Sequence, residues 1–219
     1  MTGRPILLHH ARVPSGLDAA LEKRWLALLP PALSTRIGRM RELRDRAASL
    51  LGIALLLDCA RSAGLEPPMP RLLEFPFHGK PLWPAGPDFS IAHTALRAGC
   101  ALAPAGGRVG LDIEQRGSAA GSDLRWVASG REHALYTASG LALEDLWTAK
   151  EAVLKAAGAS AKQAAQVRLE TDAAEFHETR YILLRPAMAA NCCCTLAVSQ
   201  PAAVVVREAD ADRLLESVA

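Results

Sequence analysis

The stretch VGLDIE at residues 109–114 is the segment of this chain that bears most directly on both its fold and its chemistry. Apolar residues alternate there with Asp112 and Glu114, which is the period-two pattern of a strand. Both carboxylates therefore project from one face, while the apolar side chains pack on the other. Two acids at this spacing are common on exposed strands, so their surroundings decide between a solvated surface and a site for a hard cation such as Mg²⁺.

A second stretch, WTAKEAVLK at residues 147–155, begins 33 positions after that strand. In a helix, Trp147, Glu151 and Lys155 are four positions apart and form one stripe. Taken alone, Glu151 and Lys155 are typical of a surface ion pair. Trp147 favours burial at the start of the stripe and so predicts that Glu151 lies at the margin of a cleft. Brought together, the two stretches would place three carboxylates beside an ammonium group, which suits a magnesium ion held against a phosphate ester.

The composition is that of an ordinary globular chain. Of 219 residues, 50% are hydrophobic and 22% are charged, which allows a sizeable core and argues against disorder. The formal net charge of +2 is too small to indicate general nucleic-acid binding, although residues 36–46 carry five arginines against two acids. No apolar run approaches the roughly 20 residues of a membrane helix, and residues 1–10 lack a secretion signal. We therefore expect a cytoplasmic protein that binds neither nucleic acid nor membranes.

The five cysteines are expected to be reduced thiols. Cys192, Cys193 and Cys194 are adjacent, which is poor geometry for disulfides or for a four-ligand zinc site. We expect these three side chains to pack within a strand.

Periodicity predicts an α+β fold with two similar lobes. Apolar residues recur at three and four positions in residues 41–62 and 141–157, which predicts two long helices, and residues 123–136 are a third helical segment. Seven prolines between residues 67 and 87 exclude a helix there. Strands are expected at residues 89–93, 98–103, 108–113, 167–170, 179–184, 192–198 and 203–207. Each half thus contains a long helix and several short strands, and we expect lobes at residues 1–105 and 106–219.

A third group of polar residues lies in FHGKPLWPAGPDFSIAHT at residues 77–94. Lys80 stands between Gly79 and Pro81, in a loop where backbone can approach a ligand closely. His93 ends a short strand beside apolar residues, where a lone histidine is usually a core or edge residue. Only the neighbouring motifs make it a candidate for binding phosphate.

Four motifs in this order resemble the 4'-phosphopantetheinyl transferases of the surfactin-synthetase-activating type, in the subgroup with tryptophan and KEA in the helix motif. The motifs are HGKP, FSIAHT, VGLDIE and WTAKEAVLK. The likeness covers roughly residues 36–155 and extends loosely to residues 192–198. It implies a pseudo-twofold α+β fold in which each lobe is a long helix packed on a small, mainly antiparallel sheet, with the active site in the cleft between the lobes.

The resemblance also implies a reaction. The phosphopantetheine arm of coenzyme A would pass to a serine of an apo acyl or peptidyl carrier protein, giving the holo carrier and adenosine 3',5'-bisphosphate. This is the activity of a holo-[acyl-carrier-protein] synthase, which serves fatty acid, polyketide or nonribosomal peptide biosynthesis. We expect a monomer whose partners are the carrier and coenzyme A.

The same resemblance assigns roles to individual residues. The ligands of Mg²⁺ or Mn²⁺ would be Asp112, Glu114 and Glu151, and coenzyme A would be contacted by Arg36, Arg39, Lys80, Pro81, His93 and Lys155. Lys155 would stabilise charge on the phosphoryl oxygens. Glu151, or a water on the metal beside it, would take the serine proton.

Two departures from the family pattern affect contacts to the nucleotide. Ala92 stands where the family usually has a serine, so Ser90 or Thr94 would have to supply a hydroxyl. Ala47 and Ala48 stand where basic residues or histidine are common. Both changes concern individual contacts and leave the predicted reaction unchanged.

Two other classes of function fit part of the pattern. Another magnesium-dependent phosphotransferase or a nucleotide hydrolase would also use the carboxylates and Lys155, although the chain has no G-x-x-x-x-G-K-[ST] phosphate loop. A non-catalytic relative that only binds carrier proteins would be expected to have lost a ligand, whereas all three carboxylates are present. Residues 156–166 are a candidate surface for the carrier or, alternatively, a simple loop.

Overall fold

Two small sheets lie back to back between two long helices. The computed structural model describes residues 4–76, 80–118, 128–189 and 191–217. Their mixture of helices and mainly antiparallel strands confirms the predicted α+β fold.

The first sheet has four strands in the order β2-β3-β1-β9. The strands are β1 (Ile6–Arg12), β2 (Phe89–His93), β3 (Arg97–Leu102) and β9 (Val204–Glu208). β3 pairs antiparallel with both β1 and β2, while β9 runs parallel to β1. A strand from the end of the chain therefore completes a sheet that is otherwise built from its first half.

The second sheet is antiparallel throughout and follows the order β4-β8-β7-β6-β5. Its strands are β4 (Val109–Gln115), β5 (Arg168–Leu169), β6 (Ala173–Phe176), β7 (Thr179–Leu184) and β8 (Cys192–Val198). All five cysteines are free and buried, and three of them lie in β8, as predicted. β4, which carries the VGLDIE motif, forms one edge of this sheet.

The two predicted long helices are present. The helices are α1 (Ala19–Leu28), α2 (Pro31–Gly38), α3 (Leu43–Ser62), α4 (Gly130–Ala138), α5 (Leu143–Ala157) and α6 (Ala211–Glu216), with 3₁₀ turns at Pro70–Leu72 and Ala161–Gln166. Gly158 ends α5 in the left-handed region at φ 68°. Of the third predicted helical segment, residues 123–127 lie outside the described residues, and α4 begins after a capping box formed by Ser129 and Glu132. In the described ranges, no helix has the combined length and apolarity to span a membrane.

Three apolar clusters hold the layers together. α3 packs on the first sheet and α5 on the second. The third cluster joins the inner faces of the two sheets, with Val109, Leu111 and Ile113 of β4 among its members. The apolar face predicted for VGLDIE is therefore confirmed, and its carboxylates face α5.

The end of the chain returns to the first sheet. β9 pairs with β1, and the Trp25 indole Nε1 donates to the Leu215 carbonyl of α6 at 2.9 Å. The division into lobes at residues 1–105 and 106–219 stays a prediction. Residues 204–217 contact the sheet of the first lobe although they follow the second in sequence.

Candidate active site

A close contact between β4 and α5 creates the site. A Cβ at Gly110 would lie 1.8 Å from the Ala152 carbonyl oxygen and 2.5 Å from the Ala156 nitrogen. No side chain fits in that space, so glycine allows strand and helix backbones to touch. This contact brings Asp112, two positions along the strand, against the polar stripe of α5.

The predicted stripe on α5 is present. Trp147, Glu151 and Lys155 are partly accessible, whereas most of their helical neighbours are buried. The Lys155 Nζ donates to Asp112 Oδ1 at 2.7 Å. The observed partner of this ammonium group is therefore an acid on the strand, in place of the Glu151 surface pair that the sequence alone allowed.

Two buried carboxylate oxygens beside this ion pair lack a protein partner. Asp112 Oδ2 and Glu151 Oε1 accept no hydrogen bond from the part of the chain that is described. Burial raises the pKa of Asp112 even though Lys155 opposes the shift. Burial and the charge of Asp112 likewise raise the pKa values of Glu114 and Glu151. Three mutually repelling acids in a desolvated place are costly to fold unless something positive offsets them.

A divalent metal ion in this place would need oxygen donors that the protein does not already occupy. Within the described ranges, no group of three or more His, Cys, Asp or Glu side chains is already arranged as a metal site. Lys155 occupies Asp112 Oδ1, and Trp147 lies close enough to Glu114 to oppose the rise in the pKa of that carboxyl. The donors are nevertheless all carboxylates, the hard ligands that Mg²⁺ prefers, and two oxygens are unpartnered. The chemistry of the donor set fits a divalent cation.

His93 faces this group from the end of β2. Its side chain remains open to solvent, and the surrounding protein together with the positive charges of Lys155 and Arg36 lowers its pKa. His93 is therefore neutral at physiological pH and offers a hydrogen bond without a charge. The structure thus places His93 of β2 within electrostatic range of two other predicted residues, Lys155 of α5 and Arg36 of α2. Arg39 is exposed at the end of α2.

Lys80 is placed differently from what its position in a loop suggests. It is only 8% exposed. Its Nζ donates to Asp88 Oδ2 at 2.6 Å and to the Val109 carbonyl at 2.8 Å. Pro81 is half-buried beside it. The ammonium group of Lys80 is thus bound by the protein at the start of β4.

The two hydroxyls expected to compensate for Ala92 both accept hydrogen bonds from backbone N–H groups. Ser90 is fully buried, and its Oγ accepts a hydrogen bond from the Leu111 N–H at 3.0 Å. Thr94 Oγ1 accepts bonds from two backbone N–H groups in the turn that follows β2. Of the two, only Thr94 is positioned partly at the surface with a hydroxyl proton still to donate.

The sequence missed a buried ion pair behind the site. Lys150 is 1% exposed, and its Nζ donates to Glu132 Oε1 at 2.9 Å and to the carbonyls of Ala164 and Val167. Lys150 is therefore not a solvated side chain, although the motif lies in a helix that is accessible along its polar stripe. The signal was present in the spacing, since Lys150 follows Leu146 by four positions and so lies on the buried face of α5.

A second missed contact joins the far end of β4 to the start of α5. Arg116 makes a two-pronged ion pair with Asp145, with N–O distances of 3.2 and 3.4 Å. The Gly117 N–H donates to Glu144 Oε1 at 2.9 Å. β4 and α5 are therefore joined on both sides of the carboxylates, at Gly110 before them and at residues 116–117 after them.

Residues 108–204 match the family model of the 4'-phosphopantetheinyl transferase superfamily. Over this segment, the chain is similar to that superfamily. The match includes Asp112, Glu114, Glu151 and Lys155, and it supports phosphopantetheine transfer as the general activity, with a carrier protein and coenzyme A as the partners that the superfamily implies. No curated protein matches the chain.

Proposed function

We propose that this protein transfers the phosphopantetheine arm of coenzyme A to a serine of an apo acyl or peptidyl carrier protein, releasing adenosine 3',5'-bisphosphate. One observation carries the proposal. The Asp112–Lys155 ion pair lies beside two unpartnered carboxylate oxygens, within the segment that matches the superfamily. The four motifs favour the surfactin-synthetase-activating type and its subgroup with tryptophan and KEA, acting as a cytoplasmic monomer.

Asp112, Glu114 and Glu151 would hold Mg²⁺ or Mn²⁺. When bound, such an ion neutralises charge on a pyrophosphate group and thereby favours attack at phosphorus. Burial raises the pKa values of all three carboxyls, and the charge of Asp112 adds to the rise at Glu114 and Glu151; a bound cation would offset both effects. The two unpartnered oxygens support the same assignment.

Lys155 and His93 would bind the phosphates of coenzyme A. The Lys155 side chain is 25% exposed, so its ammonium group can contact a ligand while it remains on Asp112. Charge builds on the phosphoryl oxygens and on the departing nucleotide as the serine attacks, and a fixed cation stabilises both. The neutral His93 would donate an N–H to a phosphate oxygen. Arg36 and Arg39 would bind the 3'-phosphate. Both side chains are exposed, so a phosphate can replace the water around their guanidinium groups.

Glu151 is the candidate base for the carrier serine. Its Oε1 has no partner in the described part of the chain, so it can accept a hydrogen bond from the serine hydroxyl or from a water on the metal beside it, which is the alternative base. The serine must lose its proton as the oxygen–phosphorus bond forms. Glu151 would take that proton and hold it until solvent removes it.

The carrier would dock beside α5. Residues 156–166 continue from Lys155 and contain the exposed Lys162, a positive group for an acidic carrier surface. Residues Ala161–Gln166 form a 3₁₀ turn, and the Ala164 carbonyl accepts a hydrogen bond from Lys150. A hydrogen-bonded turn suits a docking surface better than a simple loop.

Mass spectrometry of purified apo carrier proteins tests the function. Incubation with coenzyme A, Mg²⁺ and this protein should add one phosphopantetheine group to at least one carrier in a panel from fatty acid, polyketide and peptide synthesis. Glu151→Gln should lower kcat by about 100-fold or more, because it removes a proton acceptor and a charge at once. The matched control Glu66→Gln changes an exposed acid and should leave kcat unchanged.

Two outcomes would overturn the proposal. If no carrier gains mass although coenzyme A is consumed, the protein is a hydrolase of the nucleotide. If carriers bind but neither substrate changes, it is a carrier-binding relative without catalysis. Near-normal transfer by Glu151→Gln would remove Glu151 from its roles and leave the transferase assignment in place.

A further inference from the structure

Among the described residues, β4 has a strand partner on one side only. β8 pairs along its whole length, and the sheet order places β4 at the edge. Its other side packs against β2 without a ladder of backbone hydrogen bonds. An unpaired edge leaves backbone N–H and C=O groups that need other partners when they are buried.

A lysine–aspartate pair satisfies both backbone groups of Val109. Asp88 Oδ2 accepts the Val109 N–H at 2.8 Å, and Lys80 Nζ donates to the Val109 carbonyl at 2.8 Å. The two side chains are joined by a 2.6 Å ion pair. The Lys80 ammonium group and the Asp88 carboxylate thus supply the donor and the acceptor that a paired residue of a neighbouring strand would offer to Val109.

Ser90 continues the pattern two residues further along the strand. Its Oγ accepts the Leu111 N–H at 3.0 Å, and the side chain is completely buried. We call Lys80, Asp88 and Ser90 the edge clamp of β4. All three lie on the segment that leads into and forms β2, the strand that ends at His93.

We propose that the edge clamp positions the carboxylate of Asp112 against α5 and against His93, and that Lys80 acts through Val109 and not as a ligand of the nucleotide. The residue after Leu111 is Asp112, so the clamp fixes the backbone immediately before the proposed metal ligand. Ser90 is three residues before His93, so one set of contacts sets the spacing of both strands. The kinetic part of this proposal rests on the proposed transferase function.

The burial of the Lys80 ammonium group distinguishes a lysine that supports β4 from one that binds the nucleotide. A lysine that binds a nucleotide phosphate needs an ammonium group open to solvent, as that of Lys155 is. The Lys80 side chain is 6% exposed, and two protein acceptors already surround its Nζ. Loss of this ammonium would leave Asp88 and the Val109 carbonyl without it, and β4 would shift at its edge.

A double-mutant cycle on Lys80→Met and Asp88→Asn tests the clamp by thermal unfolding. Each single substitution should lower the midpoint by about 5 °C or more, since each leaves its partner unpaired. The double variant should lose clearly less than the sum, because the second change removes a group that the first has already left unpaired. Additive losses, or a Lys80→Met midpoint equal to that of wild type, would overturn the clamp. Lys23→Met, at an exposed position, is the matched control.

Kinetics and metal binding then test positioning, well below the unfolding midpoints. Lys80→Met and Asp88→Asn should each lower kcat at saturating coenzyme A by about tenfold, with KM for coenzyme A within about twofold, and should weaken Mn²⁺ binding by a similar factor. A different result would show that Lys80 binds the nucleotide directly. In that case Lys80→Met raises KM for coenzyme A with normal kcat and normal Mn²⁺ affinity, and Asp88→Asn is unaffected.

The two proposals fail separately. If the wild-type protein transfers nothing to any carrier, the transferase assignment fails, but the unfolding cycle and Mn²⁺ binding still decide the role of the clamp. If transfer is normal and all clamp variants match wild type in kcat and Mn²⁺ affinity, the positioning role fails alone.

Discussion

The two long helices each meet a strand through a glycine, but with opposite chemistry. α3 carries Gly52, whose Cβ would lie 2.5 Å from the Ile91 side chain of β2. For α5 the glycine is on the strand, where Gly110 faces helix backbone. Every buried residue of α3 is apolar or glycine, whereas α5 buries acids, a threonine and a lysine. α3 therefore supports the first sheet mainly through apolar contacts, whereas α5 carries the polar groups of the site within a helix that is also largely buried.

Substitution of the two glycines by alanine should give the largest difference between these contacts. Gly110→Ala meets a carbonyl oxygen that cannot move without breaking α5, so we expect a loss of more than about 4 kcal/mol or failure to fold. Gly52→Ala meets a side chain that can rotate, so about 1–3 kcal/mol is expected. Chemical denaturation of both variants measures the difference. Equal losses would show that the two contacts are alike.

Removal of the buried ammonium behind the site should have the next largest effect. Burial alone would raise the pKa of Glu132, but hydrogen bonds from the Ser129 and Leu169 N–H groups and from Lys150 outweigh it and lower that pKa. Lys150→Met leaves this charge buried without its cation and should cost roughly 3–5 kcal/mol. The control Lys162→Met lies on the surface and should change stability by less than about 0.5 kcal/mol. A Lys150→Met protein as stable as the control would show that the pair is energetically silent.

Glu151→Gln should have a smaller effect of opposite sign on stability. The substitution removes an unpartnered buried charge, so the metal-free variant should be more stable than wild type by about 1 kcal/mol at pH 7.5. Added Mg²⁺ should stabilise wild type and have little effect on the variant. Thermal unfolding with and without Mg²⁺ checks both points. A less stable variant would mean that Glu151 has a protein partner in solution.

The pH dependence of that difference is the finest test of the comparison. Because the pKa of Glu151 is raised in the folded protein above its usual 4.5, its protonated form is favoured by folding. Its contribution to stability is full below pH 4.5 and is lost as the pH rises through the raised value. The advantage of Glu151→Gln over wild type should therefore shrink as the pH falls from 7.5 towards 4.5. An advantage independent of pH in this window would contradict the raised pKa.

Much of this architecture was accessible from the sequence. The alternation in VGLDIE and the stripe at Trp147, Glu151 and Lys155 both report a buried face directly, and the structure has both faces as predicted. The edges of the two long helices and of the predicted strands shifted by at most two residues. The third predicted helix, 123–136, is observed from Gly130 onward, and the sequence patterns did not predict β1, β6, α1, α2 or α6. Local periodicity is sufficient here because each pattern is produced by one element packing on one core.

The remainder depends on contacts between distant segments. Lys80 and Asp88 are bound through Val109, more than 20 residues away, and β9 joins a sheet whose other strands lie before residue 103. No local pattern distinguishes a lysine that binds a ligand from one that caps a strand edge. The burial of Lys150 could have been predicted locally, because its four-residue spacing from Leu146 places it on the buried face of α5.

The most direct test of the α5–β4 site is the rate of phosphopantetheine transfer, followed by the mass of an apo carrier, for wild type and Asp112→Asn with Mg²⁺ or with a chelator. We predict that wild type transfers with Mg²⁺, stops with the chelator and recovers when Mg²⁺ is restored. Asp112→Asn should remain folded and transfer at least about 100-fold more slowly. Transfer by Asp112→Asn at the wild-type rate, or wild-type transfer that the chelator does not affect, would contradict the account.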